Sequence, residues 1–205
     1  ALDIQKDKLL FLVSQIHNPS ELYTANIDGS DEKQLTHHND EWLEEINIPD
    51  VEHFVIDNKQ GIPIEGWFLK PASGEFPCPA VLCIHGGPYG MYGYSYRNDF
   101  QMLAGAGYGV LFINPQGSSG YGDTFSQPLN GKWGLLDYPE QMLAVDHAIE
   151  KGWIDPERLG VNGISYGGYM TCWIVGQTHR FKAAVAENPV TNMVSQYGTG
   201  DMDAW

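Results

Sequence analysis

The sequence is short of cysteine, of basic residues and of long apolar runs. Its three cysteines, Cys78, Cys83 and Cys172, lack the spacing of a zinc site, and their odd number leaves no closed disulfide framework. They read as reduced, partly buried thiols, the usage expected in the cytoplasm. Lys and Arg total 11 against 26 Asp and Glu, a formal charge of −15. A surface this acidic repels phosphate backbones, which excludes nucleic acid as an expected partner. No apolar run approaches the roughly 18 residues of a membrane span. "KLLFLVSQI" is too short for a span and no cleavage site follows it, so neither a membrane partner nor a signal peptide is expected. No internal repeat is present. No His, Asp or Glu spacing suits a metal, and the glycine-rich stretch Asn114–Gly122 lacks the Lys-Ser/Thr of a phosphate loop. No cofactor is expected.

What is present suits a folded, turn-rich enzyme: 42% hydrophobic residues, 24 glycines and 12 prolines in 205 residues. Residues 1–48 differ from the rest. "KLLFLVSQ" is a strand candidate. "ELYTANIDGSDEKQLT" alternates apolar and polar residues, turns at Asp28-Gly29 and resumes at Lys33, which is hairpin chemistry. A lone hairpin is marginally stable, so this segment needs a surface to pack on. Residues 49–205 alternate strands and helices. "EHFVID" and "PIEGWFLKP" form an expected antiparallel pair around Gly61. "PAVLCIHGG", "YGVLFINP", the strand before Gly163 and "FKAAVAENP" are further strands. Helices are expected at "YRNDFQMLAGAG", "DYPEQMLAVDHAIEKG" and "YGGYMTCWIVGQT". Asp137 and Glu140 supply the pattern of a capping box for the second of these. The fold class is α/β: a mostly parallel sheet with helices on both faces.

Gly163-Ile164-Ser165-Tyr166-Gly167 matches G-x-S-x-G between an expected strand and an expected helix. Such a turn lifts a serine oxygen above the sheet, beside a helix N-terminus that favours developing negative charge. Ser165 is therefore the candidate nucleophile, with the Tyr166 N–H as one oxyanion donor. "IHGGPYG" ends a strand in glycines, whose backbone N–H groups can approach a substrate unobstructed. Gly87 is the expected second donor. His85, at the strand end, suits a structural role. His179, the only histidine after Ser165, lies about 20 Å along the same expected helix and cannot reach the serine. "NPQGSSGYG" reads as a loop on the same sheet edge, placed to shape a pocket.

Together "HGGP" at His85–Pro88, "NPQGSSGYG" at Asn114–Gly122, "WG…DY" at Trp133–Tyr138 and "GISYGGYM" at Gly163–Met170 resemble the prolyl oligopeptidase family of serine peptidases. Within it the resemblance is to the acylaminoacyl-peptidase and dipeptidyl-peptidase branches, and it covers about Val51 to Trp205. It implies a partial α/β-hydrolase domain at 49–205, preceded at 1–48 by a β-hairpin remnant of a β-propeller. It also implies an acyl-enzyme at Ser165, oxyanion donors at Tyr166 and Gly87, and short peptide substrates cleaved near the N-terminus. Many relatives carry arginine where this chain has Gln116. The family's catalytic Asp and His follow later strands, so the resemblance implies a fragment lacking both, inactive alone. It further implies a sheet edge at "FKAAVAENP" open to self-association or to the rest of the protein. A carboxylesterase and a non-catalytic binding domain remain as alternatives.

Overall fold

The computed structural model describes residues 2–200. Four antiparallel strands come first: β1 (Leu2–Gln5), β2 (Lys8–Gln15), β3 (Asn18–Asn26) and β4 (Lys33–Gln34), in the order β1-β2-β3-β4. The expected hairpin is thus the second half of a four-stranded meander. Its turn is built from Asp28, whose Oδ1 accepts the Ser30 N–H at 3.0 Å, and Gly29 at φ 82°. A short helix α1 (Asp40–Glu45) leads into the second sheet.

That sheet has six strands in the order β10-β9-β7-β8-β6-β5. β5 (Val51–Asp57) and β6 (Pro63–Leu69) form the antiparallel pair, and β6 is antiparallel to β8. β7 (Cys78–Ile84), β8 (Gly109–Asn114), β9 (Ile154–Ile164) and β10 (Phe181–Glu187) run parallel. Parallel neighbours need crossovers, here made by α2 (Asn98–Gly105), α4 (Asp137–Glu150) and α5 (Tyr166–Gln177). A short helix α3 (Asp123–Ser126) precedes α4, and α6 (Met193–Thr199) follows β10.

All six residues of β8 are buried, because helices cover both faces of the sheet there. Leu111 and Ile113 point to one side, into a core shared with Leu82, Ile84, Val145, Met170 and Ile174. Val110 and Phe112 point to the other, against Trp67, Tyr92, Phe100 and Ala104. Truncating a side chain such as Leu111 to alanine in so closed a core costs about 2–5 kcal/mol. The two sheets touch through this second core, which includes Ile16, and through the Tyr96 N–H donated to Ser14 Oγ at 3.0 Å.

Among the described residues β10 is the outermost strand, paired only with β9, and six of its seven residues are exposed. The expected open edge at "FKAAVAENP" is therefore where the described sheet ends. No helix among the described residues is long and apolar enough to cross a membrane.

One local expectation is corrected. Asp137 and Glu140 do not form a capping box. The N-cap position is Leu136, with no side-chain cap, and Asp137 is already helical. Both carboxylates are buried and turned to partners outside the helix. Asp137 accepts the Gly134 N–H at 2.9 Å and the Tyr166 hydroxyl. Glu140 accepts Asn58 Nδ2 and the Gln116 N–H, each at 2.7 Å. Tertiary donors outcompete the local N-cap for these acceptors.

Candidate active site

Ser165 sits between the end of β9 and the start of α5, with φ 60° and ψ −119°. A non-glycine residue held there costs of order 1–3 kcal/mol, and the surroundings must over-determine it. They do. The Ser165 N–H donates to Glu187 O at 2.9 Å, tying the turn to β10, and its carbonyl accepts the Tyr169 N–H at 3.0 Å. The neighbouring glycines are required by contact. A Cβ on Gly163 would lie 2.4 Å from Gly167 O, one on Gly167 2.2 Å from Ile84 O, and one on Gly168 2.6 Å from Glu187 O. The turn thus leaves Ser165 exposed while Tyr166, Gly167 and Gly168 are buried beneath it.

The glycine loop after β7 meets this turn directly. A Cβ on Gly86 would stand 3.4 Å from Ser165 Cβ and 4.0 Å from its Oγ. Gly87 adopts φ 125°, and any Cβ there would strike the Tyr89 and Gly90 nitrogens at 2.3 Å. Ser165, Tyr166 and Gly87, the three residues singled out in the sequence, line one cleft of about 410 Å³. Neither the Tyr166 nor the Gly87 N–H donates to a backbone acceptor among the described residues.

The histidines are engaged elsewhere. His85 is buried, which holds its pKa below the ordinary value. Its Nδ1 lies 2.8 Å from Gly86 O and its Nε2 2.9 Å from Ser118 Oγ, whose hydroxyl donates to Pro115 O. The ring clamps the "HGGP" loop to the "NPQGSSGYG" loop. His147 packs on Phe54 and Trp153. No hydrogen bond joins Ser165 Oγ to a histidine among the described residues.

Sequence reading missed the rest of the cleft. Trp133 stands edge-on to Tyr166 at 4.7 Å and tilts against Tyr169 at 5.3 Å. Val190 and the α6 residues Met193, Gln196 and Tyr197 complete the lining. The "WG" of the Trp133 motif signalled the aromatic wall. Nothing in "NMVSQYGTG" signalled α6, a helix of seven residues with a weak apolar pattern. Beneath the wall Asp137 is desolvated, which raises its pKa; the Tyr166 hydroxyl and Gly134 N–H oppose that rise. Glu140 lies further along α4. Burial pushes it up to about 7, against the Asn58 and Gln116 donors that favour the charged form. Gln116 is buried, its Oε1 3.3 Å from Asn58 Nδ2.

A sequence profile described as the prolyl oligopeptidase family matches residues 94–205, just over half of the chain. The chain belongs to the prolyl oligopeptidase family. Among relatives in that family, a protein named uncharacterized peptidase YuxL from Bacillus subtilis (strain 168) is 47% identical over 193 residues, 93% of this chain and 29% of the relative. The acylamino-acid-releasing enzyme of Arabidopsis thaliana is 44% identical over 147 residues, 70% of this chain and 19% of that enzyme. A solved acylaminoacyl peptidase, in complex with Z-Gly-Gly-Phe-chloromethyl ketone, superposes with TM-score 0.91 at 32% identity. It covers 100% of this chain and 33% of its own. The acylaminoacyl peptidase of Pyrococcus horikoshii gives TM-score 0.88, also at 32% identity, covering 97% of this chain and 32% of its own. The chain thus spans a third or less of the length of these members of the family.

Proposed function

We propose that this chain carries the nucleophile and the oxyanion donors of a serine peptidase acting on short peptides near their N-terminus. The observation that supports it is the convergence of three backbone-determined features in one cleft: strained Ser165, the Tyr166 N–H and the Gly87 N–H. Ser165 Oγ attacks the scissile carbonyl, forming a tetrahedral adduct whose oxygen is held by the two N–H groups. Collapse expels the amine and leaves an acyl-enzyme, which water then hydrolyses. The relatives named acylamino-acid-releasing enzyme support an acyl-aminoacyl substrate class.

The general base and the acid that orients it are assigned outside residues 1–205, because no histidine lines the cleft and His85, next to the glycine loop, is engaged with Gly86 O and Ser118 Oγ. On this reading residues 1–205 alone turn over little or nothing, since losing triad members costs about four orders of magnitude or more. Residues 1–48 are read as one blade of a β-propeller and 49–205 as the first part of the hydrolase domain. The four-stranded meander fits a blade better than the hairpin alone.

The test is hydrolysis of an acyl-aminoacyl p-nitroanilide by the reading frame that encodes this chain, expressed in full, beside a p-nitrophenyl ester. Amide turnover abolished by Ser165→Ala supports the peptidase. Ester turnover without amide turnover replaces it with a carboxylesterase. No turnover of either, with no labelling by a fluorophosphonate, replaces it with a binding domain.

A further inference from the structure

We infer that Asp137 is a positioning residue for the oxyanion hole, acting through the Tyr166 side chain; the inference rests on the reading of Ser165 and Tyr166 given above. Tyr166 has two jobs in one residue. Its backbone N–H stands at the first position of α5 with no backbone acceptor among the described residues, and its side chain is buried. The ring is fixed at its far end by the hydroxyl, which donates to Asp137 Oδ2. It is fixed along its faces by Trp133 at 4.7 Å and Tyr169 at 5.6 Å.

Asp137 is itself held. Its other oxygen, Oδ1, accepts the Gly134 N–H at 2.9 Å, so the carboxylate joins the Trp133–Gly134 turn to the elbow 29 residues away. Gly134 has φ 79°, and a Cβ there would meet the Trp173 ring at 2.7 Å, which fixes the turn from the other side. The carboxylate, the turn and the elbow thus form one closed unit. The carboxylate, buried to 1% exposure, ties the start of α4 to both segments. Its two strongest donors, the Tyr166 hydroxyl and the Gly134 N–H, belong to the two segments that make the floor and wall of the cleft.

The consequence is specific. Tyr166 cannot swing without breaking a charge-assisted bond, so its N–H stays aimed where the oxyanion forms. Releasing the ring should loosen an interaction made in the tetrahedral adduct and leave ground-state binding largely intact.

The experiment uses the complete reading frame and three variants, Asp137→Asn, Tyr166→Phe and the double variant. Turnover is expressed per serine titrated with a fluorophosphonate, so that loss of folded protein is removed from the comparison. Both single variants are expected to lose about 10- to 100-fold in kcat with KM changed less than about twofold. Affinity for a peptidyl aldehyde, which forms the tetrahedral adduct, should fall in the same proportion. The double variant should be no worse than the poorer single one, as for two ends of one bond. Wild-type kcat per titrated serine in Asp137→Asn, or additive losses in the double variant, overturns the inference. Ser165→Ala separates the two levels. If it retains turnover, the reading of the site fails. If it is inactive while Asp137→Asn is fully active, only the role of Asp137 fails. Should Asp137→Asn not fold, the kcat and aldehyde affinity of Tyr166→Phe decide the matter alone.

Discussion

Replacing Gly167 by alanine tests the geometry of the elbow. The added Cβ would lie 2.2 Å from Ile84 O, 2.9 Å from Ile84 C and 3.0 Å from His85 O, all backbone atoms where β7 ends and the glycine loop begins. None can rotate away. The elbow and β7 must part by about 0.8 Å to restore even a 3.0 Å separation. Overpacking of this kind costs about 1–3 kcal/mol and lowers Tm. The same displacement moves Ser165 relative to the Gly86–Gly87 loop, and an error near 1 Å at reacting groups costs about 10²-fold in rate. The assay is the rate of fluorophosphonate labelling beside thermal unfolding by circular dichroism, on the fully expressed reading frame. The control is Gly176→Ala on the same helix, where a Cβ meets nothing within 4 Å. It should leave labelling unchanged and stabilise by up to about 1 kcal/mol. If Gly167→Ala labels within twofold of wild type and melts at the same temperature, the contact argument is wrong.

Three further outcomes are expected. Glu140, pushed from 4.5 to about 7 by burial, holds a proton in the folded state that the unfolded chain releases. Its contribution is fully present below about pH 4.5 and is lost as pH rises through 7, roughly 3 kcal/mol in all. Urea unfolding from pH 5 to 8 should show that decline in the wild type and less of it in Glu140→Gln; parallel curves contradict the assignment. Gln116→Arg places a cation beside Glu140 and should shift the decline to lower pH; an unshifted profile shows that the guanidinium does not reach the carboxylate. Cys172 is exposed while Cys78 and Cys83 are buried, so a thiol reagent should modify one of these three cysteines in the native state and all three in denaturant. Rapid native modification of Cys78 or Cys83 contradicts the core packing.

The elbow was legible in the sequence because its constraints are local. Small residues at 163 and 167 are demanded by contacts within one turn and one neighbouring strand. The buried strands were legible because β8 is apolar without a break from Val110 to Ile113. Asp137 and Glu140 were misread for the opposite reason. Their spacing is that of a capping box, and the partners that claim them, Tyr166, Asn58 and Gln116, lie 24 to 82 residues away. Spacing along a helix cannot reveal such a partner. Strand β1 was missed because it is short and defined by pairing with a neighbour. The aromatic wall had a signal in Trp133 and Tyr169, but it became a wall only once α4 and α5 brought them together.

The central claim is that Ser165 is the nucleophile. Peptide mapping by mass spectrometry after stoichiometric fluorophosphonate inhibition of the fully expressed reading frame tests it most directly. The account predicts one adduct, on Ser165 within Gly163–Met170, and none in Ser165→Ala. An inhibited enzyme whose adduct lies on another residue, or an active enzyme in which Ser165 stays unmodified, contradicts it.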